Sequence, residues 1–277
     1  MSGGDASAAP RRAARRVEAN PAMRGLARSG YVANGVLHIL IGIIALVIAS
    51  GGRGEGDQSG ALKALASAPF GFVALWVLAV GLGALGVWFV FDGILPSNVR
   101  GGVDGAARKW GRRVAAWGKA LVFLVLGVLA AAVALGARPN SEHAAESASR
   151  TTLSIPGGPV LLTVIGAAIA GGGVAFVVMG LRRSFRTQMS IPSGTAGTVV
   201  AALGVVGFVC KGLALGVVGV LLAIAVFTSD AKNAGGLDGA ATATLTLSGG
   251  SWLVGGVGAG FIAYGLFCFL RARYARL

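Results

Sequence analysis

Apolar residues run along the chain in six long blocks, at 31–50, 70–91, 118–136, 159–181, 207–227 and 251–270, separated by polar or glycine-rich connections. An α-helix needs about 20 apolar residues to cross about 30 Å of hydrocarbon at 1.5 Å per residue, and each block meets that length or comes close to it. None alternates with the period of two that a barrel strand requires. Helices and closed barrels are the structures that satisfy their backbone polar groups in lipid. The pattern therefore predicts an all-α membrane protein with six transmembrane helices. Residues 1–22 carry Ala, Gly, Ser and Arg without periodicity and read as a disordered basic tail. The first block is too long and starts too late for a cleaved signal peptide, so it reads as a retained span.

The six blocks form three similar pairs. A shift of 177 residues lays Gly30-Tyr31-Val32-Ala33-Asn34-Gly35 on Gly207-Phe208-Val209-Cys210-Lys211-Gly212, and Gly42 on Gly219. The same shift lays Gly81 and Gly83 on Gly258 and Gly260. For the middle pair, a shift of 85 puts Gly42 on Gly127 and Asn34 on Lys119, and a shift of 90 puts Gly81 and Gly83 on Gly171 and Gly173. The unit is a two-helix hairpin used three times in parallel orientation, at 23–97, 108–186 and 196–277, unlike the inverted repeats of many transporters. In the first outer loop Leu62 and Leu65 lie three apart within Ser59–Ala66, which predicts a short interfacial helix. The threonine-rich stretch from Asp238 to Ser248 in the third loop lacks that pattern.

Composition agrees with the class: hydrophobic residues make up 55% and charged residues 12%, against roughly 25% charged in an ordinary soluble domain. The net charge of +14 is distributed unevenly. The N-terminal region, the connections between the second and third and between the fourth and fifth spans, and the C-terminus hold 17 arginines and lysines; the other three loops hold 5. The positive-inside rule then places both termini in the cytoplasm of a bacterial plasma membrane. The charge is an orientation label, with anionic lipid headgroups as its natural partner and no nucleic acid implied. Trp110, Trp117 and Trp252 suit interfacial aromatic belts.

Two stretches carry a family resemblance. One is Leu26-Ala27-Arg28-Ser29-Gly30-Tyr31-Val32-Ala33-Asn34-Gly35. The other is Gly258-Ala259-Gly260-Phe261-Ile262-Ala263-Tyr264-Gly265 with Arg271-Ala272-Arg273-Tyr274. With the threefold hairpin, they resemble the actinobacterial membrane family called domain of unknown function 1206, over about residues 23–276. The resemblance implies six membrane helices and no established activity. That family commonly carries arginine before the second glycine of the first motif, where Asn34, Lys119 and Lys211 stand here; Ala120 replaces the glycine in the second copy.

Candidate chemistry is sparse. Gly81-Leu82-Gly83-Ala84-Leu85-Gly86 matches G-x-G-x-x-G, with Asp104 at a suggestive distance. It lies inside an apolar span and not at a strand-to-helix turn, so close helix packing explains it and no cofactor is expected. Gly212/Gly216 and Gly256/Gly260 are G-x-x-x-G pairs of the same kind, serving contacts within a subunit, in a homo-oligomer or with a membrane partner. Cys210 and Cys268 read as small packing residues, and His143 with Glu142 and Glu146 as a solvated loop, not a metal site. Polar groups inside spans are costly and often functional. Asn34 and His38 share a helix face, and Lys119 and Lys211 occupy positions equivalent to Asn34. His38 reads as a packing residue. A span starting near Gly207 lets Lys211 snorkel to the interface. The functional alternative has Asn34, Lys119 and Lys211 converging near a central axis, with His38 and Asp92 as counter-groups. No catalytic, cofactor or metal constellation emerges. The expected function is a non-enzymatic membrane accessory or lipid-interacting protein; the alternative is a small channel or transporter with Asn34, His38, Lys119 and Lys211 lining its path.

Overall fold

The computed structural model describes residues 21–94, 106–191 and 193–275. All but the last two residues of the expected basic tail, and Asp104, lie outside the described residues. The helices are α1 (Pro21–Ala49), α2 (Gln58–Ala66), α3 (Gly71–Ile94), α4 (Ala106–Ala134), α5 (Ser141–Leu153), α6 (Gly158–Leu181), α7 (Thr195–Phe227), α8 (Gly236–Leu245) and α9 (Gly250–Tyr274). Six of them, α1, α3, α4, α6, α7 and α9, are long and apolar enough to cross a membrane. Each hairpin is a long helix, a short helix and a long helix, so the termini share one face of the bundle and the short helices the other. The third connection, where the sequence suggests no helix, forms α8 all the same. The fifth span also begins earlier than 207: Thr195–Phe227 is one helix, because no breaker interrupts the apolar run after Gly194.

The repeat recurs in its turns. The first long helix of each hairpin ends in a Schellman motif, with Gly52, Ala137 and Asp230 donating N–H bonds to the carbonyls of Val47, Ala132 and Ala225. Gly51, Gly136 and Ser229 take the left-handed conformation there. The second long helix of each hairpin starts after another left-handed residue, Phe70, Gly157 or Gly249. The turns before the second long helices are offset by 87 and 179, against 85 and 178 for the turns ending the first, where the third hairpin has one residue more than the shift of 177 along its helix. The outer connection is therefore longer in the second and third hairpins. The second-helix pairing of Gly81 and Gly83 with Gly171, Gly173, Gly258 and Gly260 needs correction accordingly: Ala79, Gly166 and Gly258 correspond, and so do Gly86, Gly173 and Gly265.

The long helices neighbour one another in the order α4–α3–α1–α9–α7–α6. The closest seams join different hairpins: α9 to α1, α3 to α4, and α6 to α7. In each, a first-helix glycine meets the backbone of the preceding hairpin's second helix. A Cβ on Gly42 would lie 2.5 Å from the Gly258 carbonyl oxygen, and one on Gly265 would lie 2.6 Å from that of Gly35. Gly212 and Gly173 block each other in the same way, at 2.5 and 2.6 Å. A Cβ on Gly127 would lie 3.0 Å from Gly83 N and 3.1 Å from the Ala79 carbonyl. Gly219 abuts Ala170. Gly81 and Gly260 instead face the first helix of their own hairpin, against Ala33 and Cys210. Gly171 and Gly256 meet open space, so helix packing does not explain them; Gly83 and Gly216 offer only bare backbone to Gly127 and Gly173. The contact pattern leaves α4 and α6 splayed, each resting on one long neighbour.

The short helices are tied together across hairpins. Asp57 caps α2, accepting from Gly60 N–H at 2.9 Å and from the Ser59 hydroxyl at 2.8 Å. The Ser59 oxygen accepts from Ser141 N–H at 3.3 Å, and Asp238 accepts from Gly56 N–H at 2.6 Å. Lys63 pairs with Glu55. Burial, then neighbouring carboxylates, push the Asp238 and Glu142 carboxyls above their ordinary range; for Asp238 the Gly56 bond opposes part of the rise.

Two expected outcomes follow from this packing. Gly42→Val destabilises by about 1–3 kcal/mol or prevents folding, because its Cβ has no room, whereas Gly171→Val is near neutral; melting in detergent ranks the two. Unfolded carboxyls titrate near roughly 4, so between that value and their higher folded values the folded chain holds more protons. The two carboxyls therefore add stability as pH falls through their folded values towards about 4, and the double variant Asp238→Asn, Glu142→Gln shows a flatter dependence of melting temperature on pH.

Candidate functional site

The polar positions of the spans recur at the seams between hairpins. Asn34, Lys119 and Lys211 occupy the same position on α1, α4 and α7, each between the residue facing its own hairpin and the residue facing the previous one. Their tips reach equivalent positions on the neighbouring second helix. Asn34 Nδ2 donates to Cys268 Sγ at 3.3 Å. The Lys119 ammonium lies 5.3 Å from the centre of the Phe89 ring, and that of Lys211 lies 5.4 Å from that of Phe176. Cys268, Phe89 and Phe176 correspond at the offsets of 87 and 179.

His38, one turn beyond Asn34 and buried, links two of these positions. Its Nδ1 stands 2.8 Å from the Asn34 carbonyl, which only accepts, so Nδ1 carries the proton. Nε2 then has a free lone pair, and it accepts from Lys211 Nζ at 2.9 Å. The Tyr264 ring lies 4.4 Å from that ammonium, and its centre lies 4.7 Å from the imidazole centre. Phe261 closes the other side at 5.8 Å. Lys211 is therefore held by a neutral imidazole and two aromatic faces.

Snorkelling is thereby corrected. Lys211 sits at the middle of α7, 16 residues from either helix end, and its ammonium is held at His38 Nε2 and over the Tyr264 and Phe176 rings. It turns across the bundle to α1 instead. Asn34, His38 and Lys211 come together with Cys268 and Tyr264, while Lys119 stays apart on the half-open α4 side, within electrostatic range of Asp92. At the end bearing the termini, Arg271 donates to Gln188 Oε1 at 2.7 Å and covers the Tyr31 ring at 4.8 Å. Tyr264, Phe176, Cys268 and Arg271 are absent from the sequence-derived site candidates; the offsets of 87 and 179 align Phe176 and Cys268 with Phe89 but mark none of the four as the partner of a polar group. His143 is exposed, and its neighbour Glu146 pairs with Arg150 at 2.6 Å. Among the described residues no group of three His, Cys, Asp or Glu side chains is placed to hold a metal.

The family profile called Domain of Unknown Function (DUF1206) matches residues 29–95, 114–183 and 206–275, one match per hairpin. The chain belongs to the DUF1206 family. It is also similar to the uncharacterized protein YxxB of Bacillus subtilis (strain 168), 23% identical over 262 residues that cover 94% of each chain. No solved structure matches it significantly. Each DUF1206 segment contains one copy of the seam position, Asn34, Lys119 or Lys211, so the unit of the family is also the unit of this polar slot.

The contacts of His38 set an order of costs. His38→Leu removes the acceptor of the ammonium and costs about 1–3 kcal/mol. Lys211→Met replaces a charge held inside the bundle by apolar volume and is neutral or stabilising. Unfolding in denaturant, with the two variants compared, checks this order; the reverse order contradicts the assigned roles.

Proposed function

We propose that this chain is a non-enzymatic, multi-pass protein of the bacterial plasma membrane that acts as a lipid-interacting accessory element, with both termini in the cytoplasm. The observation that carries this reading is the fate of the polar groups inside the spans. Asn34 and His38 are buried, and Lys211 is committed to His38 and two rings, so these groups satisfy one another within packed protein. A channel or transporter requires Asn34, His38, Lys119 and Lys211 around one wet path, and Lys119 contacts Phe89 apart from the other three. The polar surface left for a partner is the arginine-rich face at the termini. There Arg183 and Arg186 line a cavity of about 290 Å³ with Ser193, Gly194 and Thr198 at the start of α7. Cationic side chains at that level attract anionic headgroups by about 1 kcal/mol each.

The test is reconstitution in vesicles of phosphatidylcholine and phosphatidylglycerol loaded with reporters for chloride, phosphate and potassium. The expected result is leakage at the rate of protein-free vesicles, with phosphatidylglycerol enriched around the purified protein. Protein-dependent flux that disappears in Lys211→Leu would sink the accessory reading in favour of transport.

A further inference from the structure

We propose that the opening between α4 and α6 holds one anionic phospholipid, its acyl chains lying between the two helices and its phosphate beside Lys119. This site deepens the lipid-interacting reading and rests on it. In the first and third hairpins the two long helices close on small residues, Ala33 against Gly81 and Cys210 against Gly260. The same positions in the second hairpin are Gly118 and Ala168, small enough to close likewise. Both are exposed, and nothing lies within 4 Å of a Cβ built on Gly118.

The neighbouring positions agree. Val122 is 56% exposed, whereas its counterparts Leu37 and Ala214 are 0% and 7% exposed. Ile165 is 40% exposed, against 3% for Leu78. An apolar slot thus runs along the span, lined by Ala115, Gly118 and Val122 on one side and Ile165, Ala168 and Gly172 on the other. Lys119 is exposed where its equivalent Asn34 is buried, with its ammonium over the Phe89 ring of α3. It lies 15 residues from the end of α4, about 22 Å below it, so its stem reaches the phosphate level on the side of the termini. Arg113 on α4 and Arg182 and Arg183 after α6 flank the same end of the slot.

The occupant must therefore be apolar along most of a span and negatively charged at one end. An anionic phospholipid has both properties. A partner helix fills an apolar slot but carries no obligatory negative charge at that depth, and a second copy of this chain would bring more arginine to an already cationic rim.

The experiment is native mass spectrometry of the full chain released from nanodiscs of equal phosphatidylcholine and phosphatidylglycerol, counting retained lipids. The wild type is expected to keep one phosphatidylglycerol in preference to phosphatidylcholine. Lys119→Gln lowers that retention about fivefold, the share of one cation at the membrane surface. Gly118→Phe and Ala168→Phe, whose new side chains enter the slot, lose the lipid with unchanged helical content, while Arg273→Gln on α9 keeps it. Equal retention in Lys119→Gln and both phenylalanine variants overturns the site, and so does retention without preference between the two lipids. A second polypeptide retained in place of lipid overturns it as well. Vesicle flux is read separately: an unchanged lipid count in the variants defeats the site alone, whereas flux defeats the accessory reading alone.

Discussion

Helices in a bilayer gain little from hiding apolar surface from one another, since lipid is as apolar as leucine; what joins them is close packing and hydrogen bonding. The backbone contact between hairpins therefore holds this fold together. Gly35 and Gly42 on α1 meet Gly265 and Gly258 on α9 so closely that each glycine's missing Cβ is the space its partner's carbonyl occupies. The same contact recurs where α7 meets α6 and, with Gly127 against Ala79 and Gly83, where α4 meets α3. The α9–α1 seam has a special place because it joins the last long helix to the first. Without it, α1 and α9 would be free ends; with it, the free ends are α4 and α6, and α1, α9 and α7 surround a common interior at His38.

That interior makes a half-buried ammonium tolerable. A lysine inside a span is expensive unless its hydrogens find acceptors and its charge finds a polarisable surround. Lys211 finds His38 from α1, Tyr264 from α9 and Phe176 from α6, three helices that only the seams bring together. One slot position has thus taken different solutions in the three repeats. Asparagine meets a thiol, lysine meets a phenyl ring, and lysine meets a phenyl ring together with an imidazole. The repeats share the backbone geometry of the slot and differ in its chemistry.

The six spans were legible because length and apolarity settle them, and the repeat was legible in the first helices because Gly35, Gly42, Gly212 and Gly219 keep one shift. In the second helices it misled. Glycines are so frequent there that Gly81 and Gly83 align plausibly with Gly171 and Gly173, and only the turns at Phe70, Gly157 and Gly249 reveal the true offsets. The start of α7 was misjudged for a related reason: Gly207 looks like a start, but a glycine inside a long apolar run does not end a helix in lipid. Tyr264 and Phe176 were invisible as site residues because an aromatic ring in an apolar stretch gives no polar signal until the fold sets a cation on its face. The threonines of α8 hid a helix whose position is dictated by the repeat and not by its own propensity.

The threefold pattern fails in one place, and the failure is informative. Gly118 and Ala168 are as small as the pairs that close the other hairpins, so bulk at that level does not keep α4 and α6 apart. The difference lies on their other sides. Trp117 fills the α3–α4 seam with its indole against Gly93, at a position where the α6–α7 seam has Val209 against Gly180. Each of α4 and α6 rests on one seam, whereas α1 and α9 each rest on two. A span supported on one side has its remaining apolar surface, Leu121, Val125 and Val128 on α4 and Val160 and Val164 on α6, in contact with whatever the membrane supplies. For this hairpin no protein helix stands where one stands in the other two, so its two long helices are held each by a single seam and by the connection between them.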